Sequence, residues 1–274
     1  MNPAGQVFYK MTGSGNDFIM LDGRYTQAAN WPAQRIRDIC DRRLGVGADG
    51  LVILTPVAPG QVRMDFFNND GSPAPMCGNG ALCSSRLAAY LEMSSPESTV
   101  LQTGAGPVRT RCAGPGHMAE LCLPSFPVPK QLDIPLHPGE TGIFFGIVGV
   151  PHVVVMTEDV GKVDLLNRGR ELRGHPAVGP GGANVNFVSP GADPGAPWQI
   201  RTYERGVEAE TLACGTGTVA SAMVAEAKGL RRLPGEWLTS LGIRLSVAGM
   251  LDNGVVTEAW LCGEGRLVYT GVVR

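Results

Sequence analysis

Runs of positive charge are what this 274-residue chain lacks first: lysine and arginine total 23 against 25 acidic residues, a formal net charge of −2, with no basic cluster. Such a balance offers no electrostatic footprint for nucleic acid or an anionic membrane surface. Aromatic residues are scarce at 6%, too few for a base-stacking platform. The apolar stretch at 153–156 is far short of the roughly 20 residues a membrane span needs. Residues 1–10 contain no apolar core of a secretory signal. Cys-x-x-Cys, His-x-x-x-His and dense Asp/Glu clusters are missing, so no metal is expected. The four lysines, Lys10, Lys130, Lys162 and Lys228, stand apart from any phosphate-cradling motif, so a pyridoxal phosphate Schiff base has no candidate. Seven cysteines, an odd number, suggest reduced thiols in a cytoplasmic protein.

Present instead are two copies of one device. Met76-Cys77-Gly78-Asn79-Gly80 runs into an Ala-rich helical pattern, and Ala213-Cys214-Gly215-Thr216-Gly217 runs into another. Each places a cysteine at a helix N-terminus, where backbone amides and the helix dipole favour a thiolate and can hold a carboxylate. Cys77 follows Asp49 by 28 positions, and Cys214 follows Asn186 by 28. Cys77 also follows Asn16 by 61, and Cys214 follows His152 by 62. Matching offsets around matching motifs predict duplicated halves with a repeated order of strands and helices and an active site between the halves.

Abundant glycine (38) and proline (21) punctuate short β-like runs at 51–54, 108–111, 118–123, 146–148, 153–156, 185–188 and 255–260. Helical patterns cover 31–43, 80–93, 165–172 and 217–227. The pattern reads as α+β. The Pro-rich stretch 124–135 reads as an interdomain linker. Cys40, Cys83, Cys112, Cys122 and Cys262 read as small core hydrophobes.

Racemisation next to a carboxylate needs one group to take the α-proton and another to return a proton on the other face. Because the two exchange roles in reverse, a thiolate/thiol pair suits the task. The amides of Gly78, Asn79, Gly215 and Thr216 are placed to stabilise the charge moving into the carboxylate. One such motif alone would more often be an N-cap turn with a buried thiol; two in matched positions argue for chemistry. Asn16, in Gly13-Ser14-Gly15-Asn16-Asp17, lacks the third glycine of a dinucleotide loop and is either a pocket amide or a turn residue. Asn68 precedes the turn signal Asp70-Gly71-Ser72. Glu204-Arg205 is either a clamp for an amino acid's charged ends or a surface pair. His152, in an apolar strand, is either a satisfied core histidine or a site residue. A cysteine-nucleophile hydrolase would pair one cysteine with a histidine and has no use for two matched ones.

Taken together, Gly13-Ser14-Gly15-Asn16-Asp17-Phe18, Phe67-Asn68-Asn69-Asp70-Gly71-Ser72, Met76-Cys77-Gly78-Asn79-Gly80, Pro151-His152, Asn184-Val185-Asn186-Phe187 and Glu204-Arg205-Gly206 through Cys214-Gly215-Thr216-Gly217 resemble the diaminopimelate epimerases over nearly the whole chain. The resemblance implies two pseudo-symmetric halves, each a β-sheet wrapped around a central helix, at 1–125 (with 263–274 returning to it) and 126–262. It implies a cofactor-free homodimer that interconverts LL- and meso-diaminopimelate for lysine and peptidoglycan precursors. Cys77 and Cys214 then stand as the two bases. Asn16, Asn68, Asn184, Glu204 and Arg205 stand as substrate-binding residues, Gly78-Asn79 and Gly215-Thr216 as holders of the reacting carboxylate, and His152 as a neighbour of the reacting centre. The chain departs from the common pattern at Val150 (often Asn), Leu82 (often Arg) and Pro73 (usually Glu). Its stretch 206–211 is one residue longer. These departures leave open a racemase of proline, hydroxyproline or histidine.

Overall fold

Strands outnumber helices throughout the computed structural model, which describes residues 5–114 and 116–273. The chain forms two units: Met1–Cys122 with Cys262–Arg274, and Leu123–Leu261.

The first unit begins with β1 (Gln6–Gly13) and β2 (Asn16–Asp22), an antiparallel pair. After α1 (Ala33–Cys40), β3 (Gly50–Ala58) lies parallel to β2, with Phe18 opposite Gly50. β4 (Gln61–Asn68) folds back on β3, and the short β5 (Pro73–Ala74) on β4. Then comes α2 (Gly78–Tyr90), which carries the chain over to β6 (Thr99–Thr103), parallel to β4. β7 (Gly106–Cys112) and β8 (Met118–Leu123) continue the sheet, and the strand Arg266–Val273 returns to pair with β1.

The second unit repeats that order. β9 (Phe126–Pro127) and β10 (Lys130–Gln131) precede the antiparallel pair β11 (Glu140–Val148) and β12 (Val150–Thr157). After α3 (Leu165–Arg173), β13 (Asn184–Ser189) lies parallel to β12, with His152 opposite Asn184. The parallel pairs thus share one register, 18 to 50 and 152 to 184. β14 (Trp198–Glu204) and β15 (Ala209–Thr211) fold back as β4 and β5 do. α4 (Gly215–Ala227) then leads to β16 (Gly235–Thr239), parallel to β14, followed by β17 (Arg244–Asp252) and β18 (Val255–Glu264).

Composition explains where each helix lies. α2 and α4 are built of Gly, Ala, Ser, Thr and a few larger apolar residues, and both are buried along most of their length. A helix apolar and small on every side belongs inside a curved sheet, and α2 touches β1 to β4, β6, β7 and the returning strand, while α4 touches β11, β12, β13 and β17. The outer helices are amphipathic and cover the other sheet face. Ile36, Ile39 and Cys40 of α1 join Phe8, Ile19, Leu21, Leu51 and Ile53. Leu165 and Leu172 of α3 join Val153, Val155, Val185, Phe187 and Tyr203. Because both faces are covered, β2, β3, β12 and β13 read as near-continuous apolar runs.

Three expectations need correction. The stretch 124–135 is not a free linker: β9 pairs with β18 and β10 with β11, inside the second unit. α1 ends at Cys40 rather than 43, because the Asp41 carboxylate accepts the Arg43 and Leu44 N–H groups in a turn that competes with the helix. Of the five cysteines read as core, Cys40, Cys83 and Cys122 are buried, but Cys112 and Cys262 are only partly buried. No helix among the described residues is long and apolar enough to cross a membrane.

Candidate active site

Each motif cysteine is the N-cap of its unit's central helix. Cys77 has extended backbone (φ −137°, ψ 122°), and its Sγ accepts the Gly80 N–H at 3.5 Å. Cys214 is likewise extended (φ −123°, ψ 103°). The helices begin two residues earlier than their apolar patterns, at Gly78 and Gly215, because the cysteines themselves terminate them.

Behind each cysteine turn lies a three-residue polar network at matched positions. In the first unit Asn79 Nδ2 donates to Asn16 Oδ1 at 2.8 Å, and Asn16 Nδ2 donates to Asp49 Oδ2 at 2.9 Å. In the second, His152 Nε2 pairs with Thr216 Oγ1 at 2.9 Å, and Asn186 Nδ2 faces His152 Nδ1 at 3.2 Å. Asn79 and Thr216 each sit two residues past the cysteine. Asn16 opens β2 and Asp49 immediately precedes β3, whereas His152 and Asn186 each lie two residues inside β12 and β13. The sequence offsets that pair Asp49 with Asn186 were therefore a signal for these two residues, which side-chain chemistry alone does not single out.

In the first unit, Asp49 Oδ1 also accepts Arg42 Nη2 at 2.7 Å, and Arg42 and Lys10 both bind Asp17. Burial alone would raise Asp17, but hydrogen bonds from Arg42 and Lys10 outweigh it and hold the carboxyl at about 2. Asn68 ends β4 opposite Gly50, next to Asp49, and its Nδ2 donates to Ser72 Oγ at 3.0 Å. Asp70 closes that turn by accepting the Ser72 N–H and hydroxyl.

In the second unit the candidates gather around Cys214. Asn184 Oδ1 accepts the Arg205 N–H at 2.9 Å, and the Arg205 guanidinium donates to the carbonyls of Gly181 and Gly182, each at 3.2 Å. Glu204, the last residue of β14, lies close enough to act on the Cys214 thiol. Burial, then the Glu204 charge, push that thiol up to about 11, although the Thr216 hydroxyl, 3.8 Å from Sγ, draws it back. The Gly217 N–H also draws it back, though it lies outside the geometry of a cap bond. Burial therefore outweighs the helix terminus, contrary to the sequence expectation of a depressed value. His152 is fully buried, and desolvation, helped by Arg205, pulls its imidazole down to about 3. It is neutral at physiological pH, and its ring nitrogens face Thr216 and Asn186 rather than a cysteine.

In the first turn of α4 the backbone leaves little room for a side chain. A Cβ on Gly217 would fall 2.0 Å from Asn186 Oδ1, and one on Gly215 would fall 2.5 Å from Leu261 Cδ2. Among the described residues no group of three or more His, Cys, Asp and Glu could hold a metal ion. A cysteine N-cap with helix-terminal amides beside it can bind a carboxylate and exchange a proton with a neighbouring carbon, and each unit presents one.

Comparison with known proteins points the same way. The family model described as diaminopimelate epimerase matches residues 8–121 and 144–239. A protein named diaminopimelate epimerase from Gemmatimonas aurantiaca is 43% identical, covering 97% of this chain and 98% of its own. Its namesake from Aquifex aeolicus is 39% identical, covering 96% of each. Among solved structures, a hydroxyproline epimerase from Agrobacterium vitis superposes with a TM-score of 0.66 at 18% identity, over 98% of this chain and 92% of that one. A phenazine biosynthesis PhzC/PhzF protein from Clostridium difficile gives 0.71 at 11% identity, over 98% and 99%. The structural neighbours share the two-domain α+β fold, and the sequence relatives decide the family: the chain belongs to the diaminopimelate epimerases.

Proposed function

We propose that this protein interconverts LL- and meso-diaminopimelate without a cofactor, with Cys77 and Cys214 as the paired bases. The observation that carries the reading is the matched pair of cysteine N-caps, each backed by a three-residue polar network. The α-carbon of an amino acid is a weak acid, and its deprotonation drives charge into the carboxylate. Helix-terminal amides of Gly78, Asn79, Gly215 and Thr216 meet that charge where it develops. One sulfur accepts the proton and the other donates one to the opposite face, and the reverse reaction exchanges their roles. Asn16, Asn68, Asn184, Glu204 and Arg205 bind the rest of the substrate, with Arg205 on the distal carboxylate. The two units serve as the epimerase halves, and the enzyme works as a cytoplasmic homodimer with no nucleic-acid or membrane partner.

The substrate assignment is supported by full-length relatives named diaminopimelate epimerase at 43% and 39% identity. The likeness to a hydroxyproline epimerase, at 18% identity, speaks for fold alone. A cysteine hydrolase is disfavoured because both ring nitrogens of His152 are engaged by other residues. The test is kcat/KM for LL-diaminopimelate beside proline, hydroxyproline and histidine. Diaminopimelate should lead by orders of magnitude, and faster turnover of a single-headed amino acid would overturn the substrate assignment.

A further inference from the structure

We infer that Asn186 is a positioning residue that locks His152 in the Nε2–H tautomer and thereby turns the Thr216 hydroxyl proton toward the Cys214 sulfur. The inference concerns the same site as the proposed function and rests on that reading only for its kinetic consequence.

Hydrogen-bond bookkeeping fixes each proton. Asn186 is fully buried on β13 and faces three groups. Its Nδ2 donates to the Val153 carbonyl at 3.0 Å, and its Oδ1 accepts the Thr202 hydroxyl at 3.0 Å. Turning the amide over would set Oδ1 against the Val153 oxygen, two acceptors in a site without solvent, which costs more than any net hydrogen bond returns. The amide orientation is therefore determined. Its second N–H points at His152 Nδ1, 3.2 Å away. That nitrogen must be the acceptor, so the ring proton resides on Nε2 and is donated to Thr216 Oγ1 at 2.9 Å. Having accepted from His152, the Thr216 oxygen presents its own proton to Cys214 Sγ at 3.8 Å.

This chain of donors ends on the sulfur and favours the thiolate over the thiol. It works against burial and the Glu204 charge, both of which favour the thiol. Protonation of His152 would set an Nδ1–H against the Asn186 N–H, a second reason beside burial and Arg205 for the ring to stay neutral. The charged and titratable groups acting on the pair are Arg205 on His152 and Glu204 on Cys214. At the matched position of the first unit stands Asp49, whose carboxylate accepts from Asn16 and Arg42. The two halves therefore share the scaffold, but the residue two past the cysteine is an amide, Asn79, in the first and a hydroxyl, Thr216, in the second.

The direct test is imidazole ¹⁵N NMR of the wild-type full chain, with the His152 signals assigned by their loss in His152→Gln. His152 should show a protonated Nε2 and a bare Nδ1, unchanged from pH 5.5 to 8.5. A protonated Nδ1, or titration within that range, would overturn the proposal. Asn186→Asp presents a carboxylate to Nδ1 and, at a cost in stability from the oxygen it also sets against the Val153 carbonyl, should move the proton there and raise the ring's pKa. Thr216 would then donate to Nε2 instead of to sulfur, kcat should fall about tenfold or more, and the alkaline limb of its pH profile should move. Thr216→Val should lose activity to a similar degree, and Thr216→Ser should keep it. An Asn186→Asp protein with an unchanged tautomer and an unchanged pH profile would refute the role. Since the NMR readout needs no substrate, a locked tautomer together with no diaminopimelate turnover would refute the functional reading and leave this one standing.

Discussion

Cys77 and Cys214 occupy equivalent places but not equivalent surroundings. The Cys214 thiol is pushed to about 11 by burial and by Glu204, so its thiolate fraction should keep rising with pH well beyond the ordinary thiol value near ~8.5. In a Cys77→Ala background, the rate of Cys214 alkylation by iodoacetamide should climb through pH 10, and a plateau near pH 8.5 would contradict the burial argument. Glycines at the helix starts give a second test at this scale. Gly217→Ala forces a methyl group onto Asn186 Oδ1, 2.0 Å away, and should cost about 1–3 kcal/mol of stability in denaturant unfolding. Gly78→Ala meets nothing nearer than Leu121 Cδ2 at 3.9 Å and should be neutral or slightly stabilising.

Among the elements, the turn that follows Glu204 at the end of β14 carries Arg205 and leads into β15. It passes through Glu208 at φ +59°, a conformation that residues other than glycine rarely adopt. Its carboxylate accepts the Gly206 N–H, the hydroxyl of buried Tyr203 and the Arg173 guanidinium. Arg173 is in turn tied through its carbonyl to Ala183, next to the Gly181–Gly182 carbonyls on which Arg205 rests. The exposed ion pair with Arg173 stabilises little, so Glu208→Ala should cost, in thermal melting, only what the Tyr203 hydroxyl loses with its acceptor, about 1–3 kcal/mol or less where water replaces it. It should raise KM for diaminopimelate about threefold to tenfold with kcat kept, because the loop holding Arg205 loosens. Glu208→Gly relaxes the backbone but also removes the carboxylate, and should raise KM as well. An unchanged KM in both variants would reduce Glu208 to a surface residue. Sequence legibility varied between elements for physical reasons. The central helices and β3, β12 and β13 were legible because burial on all sides leaves uninterrupted apolar or small-residue patterns. β1 and the strand Arg266–Val273 were not, since polar residues such as Lys10 and Thr270 break their apolar pattern, and β4 was passed over although Val62, Met64 and Phe66 point inward with Arg63 outward between them. Lys10 is tolerated inside only because Asp17 and the Gly47 carbonyl receive its ammonium. The cysteine caps were readable from spacing; the matching offsets marked Asp49 and Asn186 as a pair, but their hydrogen bonds to Asn16 and His152 came only from the fold.

For the whole molecule, duplication is the organising fact: each unit repeats one order of strands around one central helix, and each brings one cysteine to that helix's start. Stability in acid follows from the first unit's network. Asp17 is depressed to about 2 from a reference of 3.8, so its contribution is complete above about pH 4 and is lost as pH falls toward 2. Asp17→Asn should therefore be less stable than wild type at pH 6, with the gap narrowing below pH 4 in urea unfolding; a gap independent of pH would refute the linkage. The functional claim depends on both halves acting on one substrate. Its most direct test is epimerisation of LL-diaminopimelate by purified Cys77→Ala and Cys214→Ala variants, with circular dichroism confirming that each is folded. Each single substitution should lower the rate by at least roughly 10²-fold, because neither sulfur can serve the face of the carbon that belongs to the other. Near-wild-type epimerisation by either folded variant would contradict the two-base account.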